Sequence, residues 1–257
     1  MERLDKILAH EGFGTRKDVK KLIRAGVVTV NGTVCKQTDM HINEQVDSIC
    51  VNEDELQIHS EVYLMLNKPQ DTVSSAKDGL HQTVFDLLDD RYYNLFLSGK
   101  LHLVGRLDID TEGLLLITTD GTFTHKLISP KTHISKTYFV TLRDSVSGIE
   151  LSGTKVLSIT DKAADYNRKI ATGLEVASDG SEDGFTAEPA NLEWINENSC
   201  YLTIYEGKYH QVKRMFAALG NKVTALKRVS MGNLKLDPLL KTGEYRELSA
   251  LELENLM

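Results

Sequence analysis

LVGRLDIDTEGLLLITTD, residues 103–120, joins a strongly apolar run to a cluster of charged side chains. The run Leu114–Ile117 is continuous rather than alternating, which predicts a strand buried on both faces. Asp108, Asp110 and Glu112 come just before this run. An isolated Asp-x-Asp-Thr is most often a turn with a capping aspartate. Charge beside a buried strand is costly unless it is paired or used in chemistry, so the rest of the chain decides between these interpretations.

The composition is that of an ordinary globular protein of 257 residues, long enough for two small domains or one large one. The three cysteines are scattered without metal-ligand spacing, which predicts a reduced, cytoplasmic protein without zinc. We find no signal-peptide pattern and no apolar run of the roughly 20 residues that a membrane helix needs. The net charge of −7 argues mildly against a nucleic-acid partner, so local basic patches decide that point.

Two short helices are predicted at the N-terminus. The apolar residues between Leu4 and Leu8 have helical spacing, and Gly12 supplies a stop. A second helix is predicted after Thr15, which can cap it together with Asp18, and it ends at Gly26.

This second helix has an apolar face and a basic face. The basic face consists of Arg16, Lys17, Lys20, Lys21 and Arg24. Such a face is either simply solvated or bound to an anion. Five charges of one sign with a single acid nearby repel each other, which favours an anionic partner.

The next segment predicts a hairpin, because two β-rich runs flank Asn31-Gly32. Two short helices with a basic face, followed by Val-x-Val-Asn-Gly, resemble the S4 RNA-binding domain. The matching residues are Arg3-Leu4-Asp5-Lys6, Gly12, Thr15-Arg16, Ile23, Gly26, Val28, Val30, Asn31 and Gly32. The resemblance implies a module that binds folded RNA through its shape and phosphates. We assign residues 1–58 to this module and predict that the polar segment 52–61 is a linker.

Residues 62–257 are assigned to a larger domain. Its first predicted elements are a strand at Val62–Asn67, a helix around Val84–Leu88, a helix from Asp120 to before Pro130, and a strand at Lys136–Leu142. Alternation places Lys136 and Tyr138 on one face of the last strand. Residues 91–97 show no clear period, and residues 144–198 predict only weak strands and a polar loop.

A second basic patch is predicted between Tyr201 and Val229. The pattern predicts a strand at Tyr201–Tyr205, a turn at Glu206-Gly207, and a helix from Lys208 to Leu219. Its buried stripe is Val212, Phe216 and Leu219. The basic residues of this block are Lys208, His210, Lys213, Arg214, Lys222, Lys227 and Arg228.

Four motifs of the larger domain resemble, in their order and spacing, those of RNA pseudouridine synthases. They are Lys68-Pro69, Gly105-Arg106-Leu107-Asp108-x-x-Thr111-x-Gly113-Leu114-Leu115, Lys136-Thr137-Tyr138, and Glu206-Gly207-x-Tyr209-His210-Gln211-Val212-Lys213-Arg214-Met215. The likeness is to the branch that carries an S4 domain in front. It implies an α+β catalytic domain built on a mostly antiparallel sheet with flanking helices. It also implies conversion of a specific uridine in 16S ribosomal RNA to pseudouridine, without a metal or organic cofactor.

The resemblance also implies roles for five side chains. Asp108 matches the catalytic aspartate, and Lys213 matches the basic residue that keeps this carboxylate ionised in a site closed to water. Tyr138 matches the tyrosine that stacks on the target base, and Arg106 matches the arginine that helps to extrude the nucleotide. Met215 is expected to line the uracil pocket.

Each of these side chains also has a structural interpretation. Lys213 is equally typical of a helix surface, Tyr138 and Met215 of a core, and Arg106 of a salt bridge to a neighbouring carboxylate. A single carboxylate could act as a nucleophile on the sugar, as a nucleophile on the ring, or as the base that removes the C2′ proton. The sequence leaves these routes open.

The expected partner is small-subunit ribosomal RNA or an assembling small-subunit particle. We expect the protein to bind it as a monomer, and we expect no membrane partner. The side chains predicted to flip the base or bind RNA are Arg106, Arg214, His210, Arg3, Lys6, Arg16, Lys17, Lys20 and Arg24.

Three alternatives compete with this interpretation. The first is a non-catalytic RNA-binding or ribosome-assembly protein. The second is a glycoside hydrolase that pairs Asp108 with Asp110 or Glu112. The third is a pseudouridine synthase that acts on 23S ribosomal RNA. One departure from the family pattern is Asp71, where a glycine is common two residues after Lys-Pro, and it leaves the conformation of that loop open.

Overall fold

The computed structural model describes residues 1–43, 46–56, 61–178, 180 and 182–256. The helices are α1 Leu4–His10, α2 Arg16–Ala25, α3 Asp90–Leu97, α4 Gly121–Ile128, α5 Asp161–Thr172, α6 Gln211–Ala218 and α7 Ala250–Leu256. The strands are β1 Glu2–Arg3, β2 Val28–Val30, β3 Thr33–Val34, β4 His41–Ile42, β5 Ile49–Val51, β6 Asp54–Glu55, β7 Tyr63–Lys68, β8 Thr72–Val73, β9 Gln82–Thr83, β10 His102–Val104, β11 Thr111–Thr118, β12 Lys136–Leu142, β13 Ile149–Ser152, β14 Lys155–Ile159, β15 Leu174–Val176, β16 Phe185–Ala187, β17 Asn191–Asn196, β18 Ser199–Ile204, β19 Val223–Met231, β20 Leu234–Lys235 and β21 Tyr245–Glu247. Short 3-10 helices lie at Val84–Leu87 and Pro130–Thr132.

The chain forms two compact units. The first contains residues 1–63, 88–102 and 117–120, and the second contains residues 64–87, 103–116 and 121–257. The domain limits inferred from the sequence, 1–58 and 62–257, stay a prediction. In the part of the chain that the structure describes, no helix combines the length and the apolar character needed to cross a bilayer.

The N-terminal part of the first unit has the predicted helices and hairpin. Thr15 caps α2 by accepting a hydrogen bond from the Asp18 amide, and Gly26 ends α2 with a φ of 79°. Strands β2 and β3 pair antiparallel, with Val30 opposite Thr33. The two residues between them, Asn31 and Gly32, both have positive φ, which is the backbone conformation of a type I′ turn.

The predicted linker is partly wrong, because its first half forms a second hairpin. Strand β6 pairs with β5 and extends a sheet of order β3-β2-β5-β6. Asn52 and Glu53 make the turn, each with positive φ. Both residues of β6 are polar and exposed, and backbone hydrogen bonds hold them at the edge of the sheet. Polar, exposed residues are also typical of a linker, so this edge strand was not recognised in the sequence. The predicted linker also covers residues 57–60, which lie outside the described residues.

The second unit is built on a nine-stranded sheet, which confirms the predicted α+β class. The strand order is β17-β18-β12-β19-β11-β7-β21, with β10 added to β11 and β20 to β19. The pair β11–β19 is parallel, whereas β12–β18, β12–β19, β17–β18 and β7–β21 are antiparallel. Strand β11 contains the run Leu114–Ile117, and all four of these side chains are at most 1 % exposed, as predicted.

Helices α3 and α5 lie in segments for which the sequence predicted no helix. Helix α3 begins after Asp89, whose side chain accepts a hydrogen bond from the Tyr92 amide, in the segment that showed no clear period. Helix α5 lies within residues 144–198, where only weak strands were predicted. Its buried face is narrow, since it consists of Ala163, Tyr166 and Ile170 on an otherwise polar helix. A stripe of three buried residues, one of them an alanine, gives a weak periodic signal.

Helix α6 starts later than predicted. It begins at Gln211, because His210 adopts a left-handed conformation with a φ of 48°. Lys208 and His210 therefore lie in the turn before the helix rather than on it. The predicted stripe is confirmed, since Val212, Phe216 and Leu219 are all buried.

Candidate active site

The loop between β10 and β11, residues 105–110, is fixed from several sides. The Ser74 hydroxyl donates to the carbonyl of Leu107 (2.8 Å) and accepts from the Leu107 amide (3.1 Å). The Asp71 amide donates to the carbonyl of Ile109 (2.9 Å), and the Thr111 amide donates to that of Asp108 (3.1 Å). The backbone that carries Asp108 is therefore held before any substrate arrives.

Lys68 also holds this loop in place. Its ammonium is fully buried and donates to the carbonyls of Pro69 (2.9 Å), Thr111 (2.9 Å) and Ile109 (3.3 Å). Burial lowers the pKa of Lys68 to about 8, although the nearby charges of Asp110 and Asp108 oppose this shift. The Lys68-Pro69 motif is visible in the sequence, but the role of its lysine is not. Ser74, the other main support of the loop, carried no signal in the sequence.

Asp108 and Lys213 form an ion pair. The Nζ of Lys213, in the first turn of α6, lies 2.8 Å from Oδ2 of Asp108 and also contacts Asp110. Burial acts to lower the pKa of Lys213, but the hydrogen bonds to Asp108 and Asp110 outweigh burial and raise it above its ordinary value. Both side chains of the Asp108–Lys213 pair remain partly exposed, at 29 % and 23 %. The carboxylate is thus neutralised by a fixed cation and still reachable.

His210 stands on the other side of the same carboxylate. Its Nε2 lies 3.7 Å from Oδ1 of Asp108, and its ring stacks on Tyr209 with the ring centroids 3.8 Å apart. His210 has a left-handed backbone conformation and precedes α6 rather than lying on it. The structure therefore brings His210, Asp108 and Lys213 together.

A cavity opens beside Asp108, and we call it the Asp108 cavity. Arg106, Tyr138, Gln211 and Val212 line it together with Asp108. Tyr138 is 8 % exposed, so only a small part of its surface is accessible. Arg106 is exposed and, among the described residues, makes no ion pair, so the alternative salt bridge to Asp110 or Glu112 is not formed. These positions are suited to the roles that the resemblance implies for Tyr138 and Arg106.

Two other predicted residues lie elsewhere. Met215 is fully buried and is not part of the wall of the Asp108 cavity, which differs from the expectation that it lines the uracil pocket. The side chain of Met215 lies in the core, and its sulfur is 3.8 Å from Nε2 of Gln211. The guanidinium of Arg214 donates to the carbonyls of Ala177 (3.0 Å) and Asp183 (2.8 Å). A contact of Arg214 with RNA stays a prediction.

The predicted RNA-binding residues of the first unit fall into two groups. Arg3 and Lys20 both pair with Asp5, at 3.0 Å and 3.7 Å, and Lys6 pairs with Glu2. The acids near the basic face are thus more numerous than the sequence suggested. The second group is exposed and makes no ion pair within the described ranges, and it consists of Arg16, Lys17 and Arg24.

The electrostatics of Asp110 disfavour one form of the glycoside hydrolase alternative, in which Asp110 is the acid that pairs with Asp108. Such an enzyme needs one carboxyl group with a raised pKa as the general acid. Partial burial acts to raise the pKa of Asp110, but the hydrogen bond and charge of Lys213 outweigh this effect and lower it. Asp110 is therefore held as a carboxylate rather than an acid. Within the described residues, no cluster of three or more His, Cys, Asp or Glu side chains could hold a metal ion.

Comparison with known proteins gives one consistent result. The family model for RNA pseudouridylate synthase matches residues 62–218, and the S4 domain model matches residues 2–46. Ribosomal small subunit pseudouridine synthase A of Pasteurella multocida is 41 % identical over 252 residues, covering 98 % of this chain and 97 % of that protein. The uncharacterized RNA pseudouridine synthase YtzG of Bacillus subtilis is 40 % identical over 257 residues, covering 98 % of this chain and 96 % of that protein. A crystal structure described as a pseudouridylate synthase covers 100 % of both chains, with 40 % identity and a TM-score of 0.63.

Proposed function

The chain belongs to the RNA pseudouridylate synthase family, and from this premise we propose that it converts a specific uridine of 16S ribosomal RNA to pseudouridine, with Asp108 as the catalytic aspartate. Several relatives, including those of Haemophilus influenzae and Escherichia coli, are named ribosomal small subunit pseudouridine synthase A. This shared name supports the small subunit as the source of the RNA. The partner is then this RNA or an assembling small-subunit particle, met in the cytoplasm by a monomer.

The observation that carries the assignment of Asp108 is its ion pair with Lys213 at the wall of a cavity that Tyr138 also lines. In the reaction, the N1–C1′ bond of uridine breaks, the uracil rotates, and a C5–C1′ bond forms while the C5 proton is lost to solvent and N1 gains a proton. No atom is gained or lost overall, so no second substrate is required. The enzyme has to supply one reactive group and hold the detached base.

Asp108 is suited to be that reactive group. Lys213 offsets the cost of keeping a carboxylate charged when RNA closes the cavity to water. The fixed loop of residues 105–110 positions the carboxylate without further reorganisation, which is how a preorganised site lowers a barrier. The carboxylate then attacks the sugar or the ring, or removes the C2′ proton. A primary kinetic isotope effect with uridine deuterated at C2′ identifies the last of these routes.

Tyr138 and Arg106 are suited to handle the base. The ring of Tyr138 borders the Asp108 cavity, and a stack of uracil on it is worth about 1–3 kcal/mol, which retains the uracil after the glycosidic bond breaks. Extrusion of a base from a helix costs a few kcal/mol. The exposed guanidinium of Arg106 can offset part of this cost by filling the gap that the nucleotide leaves.

The experiment that tests the proposal compares three proteins on 16S and 23S ribosomal RNA and on assembling small-subunit particles. Pseudouridine is mapped by carbodiimide treatment and reverse transcription after incubation with wild type, Asp108→Asn or Asp110→Asn. We expect one modified uridine in 16S RNA with wild type, and a rate reduced by at least about 10⁴-fold with Asp108→Asn. Asp110→Asn keeps the Asp108–Lys213 pair, so its rate should fall about tenfold at most.

Each alternative gives a different result in this experiment. A modified uridine in 23S RNA alone would overturn the 16S assignment. Equal losses in the two variants would overturn Asp108 as the reactive carboxylate. Release of free uracil without pseudouridine would point to glycoside hydrolysis, and absence of any modification by wild type would leave a protein that only binds RNA.

A further inference from the structure

A second cavity adjoins the Asp108 cavity. Its wall contains the basic side chains of Arg106, Lys136, Lys208 and Arg228 and the acidic side chains of Glu188 and Glu206. It has a volume of about 440 Å³, and its walls include Ile128, Pro130, Lys136, Tyr205, Arg228 and Met231. Arg106 and Tyr138 line both cavities, so the two are neighbours, whereas Asp108 lines only the first. We call the second one the Lys136–Arg228 cavity. Its volume is in the range of about 300–1,000 Å³ that ligand sites in proteins occupy.

Arg228 is a buried cation without a carboxylate partner. It is 2 % exposed, and its Nε donates to the carbonyl of Leu114 (2.7 Å). Its Nη2 is buried and has no hydrogen-bond partner, and no ion pair of Arg228 occurs within the described residues. A buried guanidinium normally has an acid beside it, because an unpaired buried charge is costly. An anion brought by a ligand would supply the missing partner.

Lys136 adds a second positive charge to the same cavity. The residue is partly buried, and its ammonium donates to the carbonyl of Ile134 (3.1 Å). Burial lowers the pKa of Lys136, and the charge of Arg228 lowers it further, while Glu206 opposes both. The carboxylate of Glu206 is occupied elsewhere, since it pairs with Lys208 (3.0 Å) and accepts from Gln211 and the Glu188 amide. The other acid of the cavity wall, Glu188, lies 3.7 Å from Nδ1 of His133. Lys136 and Arg228 thus repel each other in a cavity whose two acids have other partners.

We propose that the Lys136–Arg228 cavity binds the backbone phosphate of a nucleotide next to the target uridine. This inference rests on the proposed function, because it takes the ligand to be an RNA strand whose uridine lies against Tyr138. A nucleotide bonded to that uridine reaches the adjoining cavity, since Tyr138 borders both. A guanidinium presents paired N–H donors that match two phosphate oxygens, and a lysine adds a point charge. The apolar walls formed by Ile128, Pro130 and Met231 accept the ribose or base of the same nucleotide.

The test asks whether removing one positive charge of the protein and removing one negative charge of the RNA affect binding independently. A 16S RNA fragment that contains the target is prepared in versions in which a single phosphate next to the uridine is replaced by a neutral methylphosphonate. Binding is measured by fluorescence anisotropy with wild type, Lys136→Met, Arg228→Lys and the control Lys155→Met. Lys155 is an exposed lysine on β14 and does not line the cavity.

We expect one neutral linkage to weaken binding about tenfold for wild type and for Lys155→Met. Lys136→Met should bind the unmodified RNA about tenfold more weakly, and the same linkage should cost it less than it costs wild type, because only Arg228 still contacts the phosphate in this variant. Arg228→Lys keeps the charge but loses the paired donors, so it should lie between wild type and Lys136→Met. If Arg228→Lys does not fold, wild type and Lys136→Met with the two versions of the RNA still form a complete double-mutant cycle.

The inference is overturned when every neutral linkage next to the uridine weakens Lys136→Met as much as wild type. It is also overturned when inorganic phosphate protects wild type but not Lys136→Met from thermal unfolding while no linkage matters, because the cavity then takes a free anion. Failure of the proposed function is seen separately, as absence of pseudouridine when wild type is incubated with the unmodified RNA. The binding cycle does not depend on that product.

Discussion

The Nζ of Lys213 lies 2.8 Å from Oδ2 of Asp108, although 105 residues separate them in the chain. Asp108 directly precedes β11, and Lys213 lies on α6, the helix that comes before β19. Strands β11 and β19 are parallel neighbours in the sheet, with Thr111 opposite Leu226. The ion pair thus depends on the pairing of two strands that are distant in sequence.

The first prediction concerns the charge of Lys213. Lys213→Met leaves Asp108 beside Asp110 with no lysine between them, so the single-turnover rate of pseudouridine formation should fall by about 100-fold or more. Lys213→Arg retains a cation and should stay within about tenfold of wild type. The rate is measured with saturating enzyme, which separates chemistry from RNA binding. A wild-type rate for Lys213→Met would remove the ion pair from the mechanism.

The second prediction concerns the buried ammonium of Lys68. In the unfolded chain its pKa is the ordinary 10.5, and in the folded protein it is about 8. Between these values the folded state has released the proton and the unfolded state still holds it, so raising the pH favours folding. The free energy of unfolding of wild type should therefore increase relative to Lys68→Met by about 3 kcal/mol between pH 8 and 10.5. Urea denaturation at several pH values measures this difference, and a constant difference across that window would contradict it.

The elements that were predicted correctly have strong local causes. The buried strand β11 follows from four consecutive apolar residues, and the turn at Asn31-Gly32 follows from two residues that tolerate positive φ. Helix α2 carries its own cap in Thr15. In these cases the deciding interactions lie within a few residues of each other, so the sequence contains them.

The parts that were missed depend on distant partners. Tyr166 of α5 is buried because its hydroxyl donates to the carbonyl of Leu219 and its ring packs near Phe216, and neither residue is near it in sequence. Lys68 acquires its role from the carbonyls of Ile109 and Thr111, about forty residues away. The left-handed backbone of His210 carries no composition signal. The family resemblance identified Asp108 and Lys213 as candidate site residues, but only the structure shows that they are in contact.

The third prediction concerns the loop residue Asp71. It adopts a left-handed conformation with a φ of 58°, which glycine adopts more readily than any other residue. Asp71→Gly should raise the free energy of unfolding by about 0.5–1 kcal/mol, because glycine adopts this conformation without steric cost. Asp71→Ala should lower it, since alanine tolerates positive φ less well than aspartate. Urea denaturation measures both, and an equal effect of the two variants would mean that the charge rather than the backbone matters.

The fourth prediction concerns Gly113 on β11. A Cβ atom added there would lie 2.3 Å from the carbonyl oxygen of Arg228 on the neighbouring strand. Gly113→Ala should therefore lower the free energy of unfolding by about 3 kcal/mol or more. Gly99→Ala is the matched control, because Gly99 also has positive φ but an added Cβ would contact nothing within 4 Å. Comparable losses for the two variants would assign the effect to backbone strain rather than to the close approach of the strands.

The last prediction separates the two groups of basic residues in the S4-like region. Arg16, Lys17 and Arg24 are exposed and make no ion pair within the described residues, so they are available to phosphates. Replacing all three with glutamine should weaken RNA binding and reduce the slope of log K against log salt concentration by about 2 to 3, because each lost phosphate contact contributes about 0.7–0.9.

Lys21, which pairs with Asp18 at 3.2 Å on the same helix, provides the control. Lys21→Gln should change the slope by less than any one of the three, since its charge is already partly neutralised. Binding is titrated at several salt concentrations with Asp108→Asn, which prevents turnover during the measurement. An unchanged slope in the triple variant would mean that the basic face of α2 is only solvated, and that the basic residues of the second unit carry the attraction for RNA.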